Sequence, residues 1–229
     1  DRKGRIHTFC AAVPGEWDVM SCTLAAGLSL QWLRDQLYGG AGGQPDGDAY
    51  AQMMREAMRS PIGANKLLFL PYLMGERSPI LDADARGAFV GLSNIHTRKD
   101  LIRAVMEGIT YSQRQCLDVF RELGIPIRTM MMCGGGAASP FWQQMLADVY
   151  GCPVSTVSSK EGAALGAALL AGVGVGMWPS VEEACSHVLH VKGERHPDQE
   201  ASMAYEPYYQ LYCTLYPALQ QTYRTLADL

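Results

Sequence analysis

The residues best suited to chemistry lie in one run, Met130-Met131-Met132-Cys133-Gly134-Gly135-Gly136-Ala137-Ala138-Ser139-Pro140. An apolar strand there ends in three consecutive glycines, and a helix opens with a serine cap and a proline in its first turn. Glycines let the main chain lie flat against a ligand, and free N–H groups at a helix start favour a negative or strongly polar group. That is a nucleotide-binding shape, although a lone glycine turn between strand and helix serves structure more often than ligand binding. The dinucleotide fingerprint G-x-G-x-x-G is met at Gly134 and Gly136 but has Ser139 in its third place, and no carboxylate follows about 20 residues on. The phosphate loop G-x-x-x-x-G-K-[ST] and the hydrolase motifs H-E-x-x-H and G-x-S-x-G occur nowhere in the sequence.

The seven cysteines and five histidines form no C-x-x-C pair and no cluster, so neither a zinc site nor a disulfide framework is indicated and no metal ligand is assigned. His187 and His190 lie three apart without a third ligand and read as structural. With 19 Lys+Arg against 23 Asp+Glu the net charge is −4, which excludes a general nucleic-acid binder. At 48% apolar and 18% charged residues in a chain of 229, disorder is excluded as well. Between Gly162 and Val181 run 20 uncharged residues, about the length of a membrane span. They are mostly alanine and glycine and end in Gly172, Gly174, Gly176 and Pro179, so they predict a buried helix and a glycine-rich loop, with no membrane. The start, Asp1-Arg2-Lys3-Gly4-Arg5, has no apolar stretch of signal-peptide length behind it. It reads as the beginning of a strand or as a chain cut from something longer, and the free cysteines fit a cytoplasmic protein.

The elements that must position the glycine turn follow an α/β grammar. A strand is predicted over 5–13 and an amphipathic helix over 20–38, broken by the glycine, proline and aspartate of 39–47. A helix over 48–58, a buried strand at 67–70, a long polar loop over 71–86 and a strand at 88–92 follow. Thr97 with Asp100 three residues on makes a capping-box-like start. Leu101, Val105, Ile109, Cys116, Phe120 and Leu123 then share one helix face, and Gly124 with Pro126 supplies the stop. Strand 128–133, glycine turn 134–136, helix 139–150, strand 153–157 and helix 161–171 complete the alternation. A tyrosine-rich helix from about Met203 to Leu229 covers a surface. Its six tyrosines can contribute to an interface, which leaves a homodimer open.

Gly87-Ala88-Phe89-Val90-Gly91-Leu92, seven residues, and then Asp100-Leu101-x-x-Ala104-Val105-Met106-Glu107 resemble the signature of the FGGY carbohydrate kinases. Gly4 to Cys10, Leu70-Pro71-Tyr72-Leu73-x-Gly75-Glu76-Arg77-Ser78-Pro79, and Gly134-Gly135-Gly136-Ala137-x-Ser139-Pro140-x-Trp142-x-Gln144-Met145-Leu146-Ala147-Asp148 resemble the members that act on the ketopentose D-xylulose. The likeness runs from Gly4 to the tyrosine-rich tail.

The resemblance implies a ribonuclease H-like α/β domain of the actin-like ATPase superfamily, a mixed sheet flanked by helices. Residues 1–229 would be the carboxy-terminal, nucleotide-binding domain, starting after the second phosphate loop and working with an amino-terminal sugar-binding domain. It implies ATP and Mg2+, and phosphorylation of a ketopentose such as D-xylulose. Ribulose, gluconate and glycerol kinases of the same family stay open as alternatives. Gly27 and Gln31 would approach the phosphates, and their i, i+4 spacing puts them on one helix face. Gly134, Gly135, Gly136 and Ser139 would border the adenosine, Ser139 doubling as helix cap. Glu76 and Arg77 are candidates to face the cleft between domains, or else an ion pair on a solvated loop. No catalytic residue is assigned, because the base would belong to the amino-terminal domain. Two other classes compete: a non-catalytic nucleotide- or sugar-binding module, and a degenerate dinucleotide-binding enzyme.

Overall fold

The computed structural model describes residues 1–39, 48–158 and 162–229. Helix α3 (Arg98–Glu122) is the element on which the others are laid. Its start is the predicted capping box: Asp100 Oδ2 accepts from the Thr97 main-chain N–H at 2.9 Å and from its hydroxyl at 3.0 Å. Every residue from Ile102 to Ser112 is buried, so the helix is enclosed well beyond the single apolar face expected, whereas Leu123 at its end is exposed. Helices α1 (Ala26–Tyr38) and α2 (Ala49–Ala57, capped by Asp48) pack against it. So does the hairpin of β3 (Leu68–Leu70) and β4 (Ala88–Val90). The Phe69 carbonyl lies where a side chain on Gly108 would stand, so that glycine lets β3 press onto α3.

The carboxy-terminal half holds the second sheet. Strand β5 (Met130–Met132) runs parallel to β6 (Val154–Val157), which runs antiparallel to β7 (Val191–Arg195). Between β5 and β6 come a 3-10 turn, Gly135–Ala138, and α4 (Pro140–Tyr150). Helices α5 (Ala163–Gly174) and α6 (Val181–Val188) link β6 to β7, and α7 (Gln199–Ala227) closes the chain. Tyr205, Tyr209, Tyr212 and Tyr223 of α7 are buried, and none of its six tyrosines is exposed. The tail thus turns much of its aromatic face inward onto Tyr111 and Tyr72, leaving Tyr208 and Tyr216 partly accessible.

Four features differ from the sequence-based reading, the first being that the helix expected over 20–38 begins only at Ala26, because Met20 belongs to a strand. The strand expected over 5–13 is half of a hairpin, β1 (His7–Cys10) with β2 (Trp17–Met20); β2 was hidden because all its residues are exposed and no burial pattern marks it. The uncharged helix α5 buries only Leu169 and Gly172, because within this chain it packs on α6, with the Trp178 ring filling the place of a Gly172 side chain. Helix α6 and strand β7 were not foreseen. The break over 39–47 lies, apart from Gly39, outside the described residues, as does the expected helix start at 161. Among the described residues no helix is long and apolar enough to cross a membrane.

An ion pair is buried in the middle of α3. Arg103 Nε donates to Glu107 Oε1 at 2.6 Å, one turn apart, and Arg103 also reaches the Tyr205 hydroxyl on α7. Glu107 Oε1 accepts from Gly63 N–H at 3.1 Å, while its Oε2 is buried without a partner among the described residues. Burial pushes the Glu107 carboxyl up to about 7 from 4.5, against the opposing pull of Arg103. Over that interval the native state holds the proton that the unfolded chain has lost. The contribution of Glu107 to stability is therefore fully present below about 4.5 and is lost as pH rises through about 7. In urea denaturation across pH, Glu107→Gln should flatten that fall. Glu107→Ala should lose roughly 3–5 kcal/mol, since it leaves Arg103 buried without its partner.

Candidate functional site

The glycine turn is held from both sides. Ser139 caps α4 by accepting from Trp142 N–H at 3.3 Å, and Gln143 Nε2 donates to the Ala137 carbonyl at 2.6 Å. Trp142 docks the helix onto α3, its Nε1 donating to Thr110 Oγ1 at 3.1 Å. Asp148, at the far end of the same motif, accepts from Gln144 Nε2 and from Asp198 N–H, both at 2.8 Å. It ties α4 to the start of α7, and burial raises its pKa.

In front of the turn lies a cavity of about 690 Å³, within the range of small-molecule sites. Gly27 and Leu30 of α1 form one wall, Gly135, Gly136, Ala138, Ser139, Pro140 and Trp142 a second. The third wall comes from α2 and its cap, through Asp48, Tyr50, Ala51, Met54 and Arg55. Four of the six residues predicted to touch nucleotide, Gly27, Gly135, Gly136 and Ser139, therefore meet around one space. Gln31 is exposed and is not part of the lining, and neither is Gly134.

The glycines divide by physical cause. Gly134 has φ +79°, a conformation other residues rarely adopt. A Cβ on Gly136 would stand 3.1 Å from Met132 Cε and 3.3 Å from the Trp142 ring, so packing there is tight against any side chain. Gly27 and Gly135 have neither reason: their φ values are ordinary and a Cβ on either meets no atom within 4 Å. Both open onto the cavity, where a missing side chain leaves room for something else.

The loop carrying Glu76 and Arg77 is arranged differently. Glu76 is only 3% exposed, and its Oε1 accepts from the main-chain N–H groups of Leu24 at 2.9 Å and Arg77 at 2.8 Å. It pairs with amides and not with the Arg77 guanidinium, which removes the surface ion pair. Burial raises its pKa against those two donors. Arg77 itself is exposed. The wall that sequence reasoning missed is α2. Tyr50 and Met54 stand one helical turn apart beside Ala51, but an amphipathic stripe of that kind reads equally as core, and nothing local to it points at Gly135, some 85 residues away along the chain.

Residues 1–175 match the family described as FGGY family of carbohydrate kinases, C-terminal domain. A xylulose kinase of Staphylococcus epidermidis is 38% identical over 224 residues, which cover 98% of this chain and 43% of that protein. A gluconokinase of Bacillus licheniformis is 31% identical over 233 residues, covering 100% of this chain and 45% of the relative. The crystal structure of xylulose kinase from Rhodospirillum rubrum superposes with a TM-score of 0.84 at 30% identity, over 96% of this chain and 43% of that one. The chain thus spans less than half the length of the curated relatives it matches.

The division among the glycines is measurable without any ligand. Gly135→Ala should leave the free energy of urea unfolding unchanged within about 0.5 kcal/mol. Gly136→Ala should lower stability by about 1 kcal/mol, because the Trp142 ring is fixed by Thr110 and cannot retreat from the added methyl group.

Proposed function

The chain belongs to the FGGY family of carbohydrate kinases, as its carboxy-terminal domain, and from that premise we propose that it is the ATP-binding lobe of a kinase phosphorylating a ketopentose, D-xylulose in first place. Its fold is accordingly the ribonuclease H-like α/β arrangement of the actin-like ATPase superfamily. The observation that carries the nucleotide site is the pair Gly27 and Gly135: two glycines that neither backbone conformation nor packing demands, on different elements, opening onto one cavity.

In this reading the Gly134–Gly136 turn lets main-chain N–H groups approach the nucleotide, and the α4 start favours its negative charge. Ser139 borders the nucleotide while capping α4. Gln31, one turn from Gly27, reaches toward the phosphates from outside the cavity. Arg77 belongs to the face that meets the sugar-binding lobe, with Glu76 fixing the loop from beneath.

Phosphoryl transfer further needs a base for the attacking hydroxyl and neutralisation of charge on the phosphates. Among the described residues no group of three or more His, Cys, Asp or Glu is placed to hold a metal ion. Mg2+ is read as held chiefly by the phosphates of the nucleotide. The base and most sugar contacts are assigned to an amino-terminal lobe of the parent protein, with residues 1–229 following its second phosphate loop. The free cysteines support a reducing, cytoplasmic setting. The gluconokinase relative favours gluconate as the second reading for the acceptor.

Isothermal calorimetry tests the site. The chain should bind ATP and ADP, and Gly135→Val, which fills the opening with a branched side chain, should abolish measurable binding. Unchanged affinity in that variant would refute the nucleotide site. In a coupled assay the 229-residue chain by itself should phosphorylate neither D-xylulose nor gluconate.

A further inference from the structure

We propose that Tyr50 is the residue that holds the base of the bound nucleotide, as a fixed aromatic platform on the wall of the cavity formed by α2. The assignment rests on the nucleotide reading above and adds to it a residue outside the family motifs.

Two aromatic side chains line the cavity, Tyr50 and Trp142. Trp142 is buried, and its one polar atom is committed to Thr110, so it supports the glycine turn from behind. Tyr50 is 39% exposed and is one of the residues lining the space in front of that turn. The ring is also held in place. Arg34 of α1 donates from Nη1 to the Tyr50 hydroxyl at 3.0 Å, and its guanidinium carbon lies 4.9 Å from the ring centre. Asp35 fixes Arg34 in turn, accepting at 2.7 Å from Nε and 2.6 Å from Nη2. Beneath the ring, the first turn of α2 is locked by the Asp48 cap on Ala51 N–H at 3.0 Å.

A held aromatic ring is what a planar heterocycle stacks on, because little freedom is lost when the contact forms. The two ends of the cavity therefore differ in kind. At the glycine turn there are main-chain groups and a helix start, suited to the polar part of a nucleotide; the α2 wall, flanked by the charged Asp48 and Arg55, carries Tyr50 beside Ala51 and Met54, suited to its flat, weakly polar base. Every nucleobase has such a face, so Tyr50 sets affinity for a base and not the choice among bases.

Calorimetric titration of the chain with ATP, paired with thermal unfolding without nucleotide, tests this. Tyr50→Phe keeps the ring and should bind ATP within about twofold of the unaltered chain. Tyr50→Ala should weaken binding roughly tenfold, and Tyr50→Leu, which restores apolar bulk without a π face, should remain several-fold weaker. All three should unfold at the unaltered temperature. Full affinity in Tyr50→Ala, or in Tyr50→Leu, would overturn the platform while leaving the glycine site standing. A fall in affinity matched by a fall in unfolding temperature would also overturn it, because the ring would then shape the cavity without holding the base. Failure of the unaltered chain to bind ATP would remove the nucleotide reading and this assignment together.

Discussion

Two carboxylates on one face of α3, seven residues apart, hold a stretch of main chain that would not otherwise keep its shape. Gly63, Ala64, Asn65 and Lys66 all have positive φ, from +46° to +75°, a left-handed turn that is unfavourable by roughly 1–2 kcal/mol for each residue bearing a Cβ. Asp100 Oδ1 accepts from Ser60 Oγ at 2.7 Å, just before that turn, and from Asn65 Nδ2 at 2.9 Å, within it, and Glu107 accepts from Gly63 N–H. His96 adds a further tie: its Nε2 faces the Asn65 carbonyl at 3.1 Å and so carries the proton, while its Nδ1 accepts from Ser93 N–H. Gly91 completes the fit, since any side chain there would meet the Lys66 carbonyl. Because the turn follows α2 directly, it sets where α2 lies, and α2 is one wall of the cavity.

The same helix face shows how two buried carboxylates come to differ. Burial pulls the Asp100 pKa up, but donors from Ser60, Thr97 and Asn65 outweigh it and leave the group below the usual carboxylate range. Glu107 has Arg103 and one amide, and an oxygen with no donor, and there burial prevails. Arg103 lies under the Phe141 ring and against Tyr205. It thereby joins α3 to the start of α4 and to α7, the helices that back the glycine turn. The residues of the family signature thus act largely at a distance from the cavity. They fix the turn, and the turn fixes α2.

Much of the scaffold was legible because it is written in short-range chemistry. The α3 capping box and the Ser139-Pro140 opening of α4 each depend on residues within four positions of one another, and each forms where the sequence places it. The hairpin β1–β2 was half missed because exposed four-residue strands carry no alternation of apolar and polar residues. The buried role of Glu76 was invisible for the opposite reason, its partner Leu24 being 52 residues away.

What the sequence determined alone was the family, the helix boundaries set by caps and stops, and the presence of a glycine turn suited to a nucleotide. It could not say which glycines matter to a ligand. Gly134, Gly135 and Gly136 are identical as letters, yet one answers to backbone conformation, one to the Trp142 ring, and one to the open cavity. That distinction, like the recruitment of α2 and Tyr50, belongs to the tertiary structure. It depends on what stands opposite each residue in space, and those neighbours are brought there by contacts across tens of residues that no local pattern encodes.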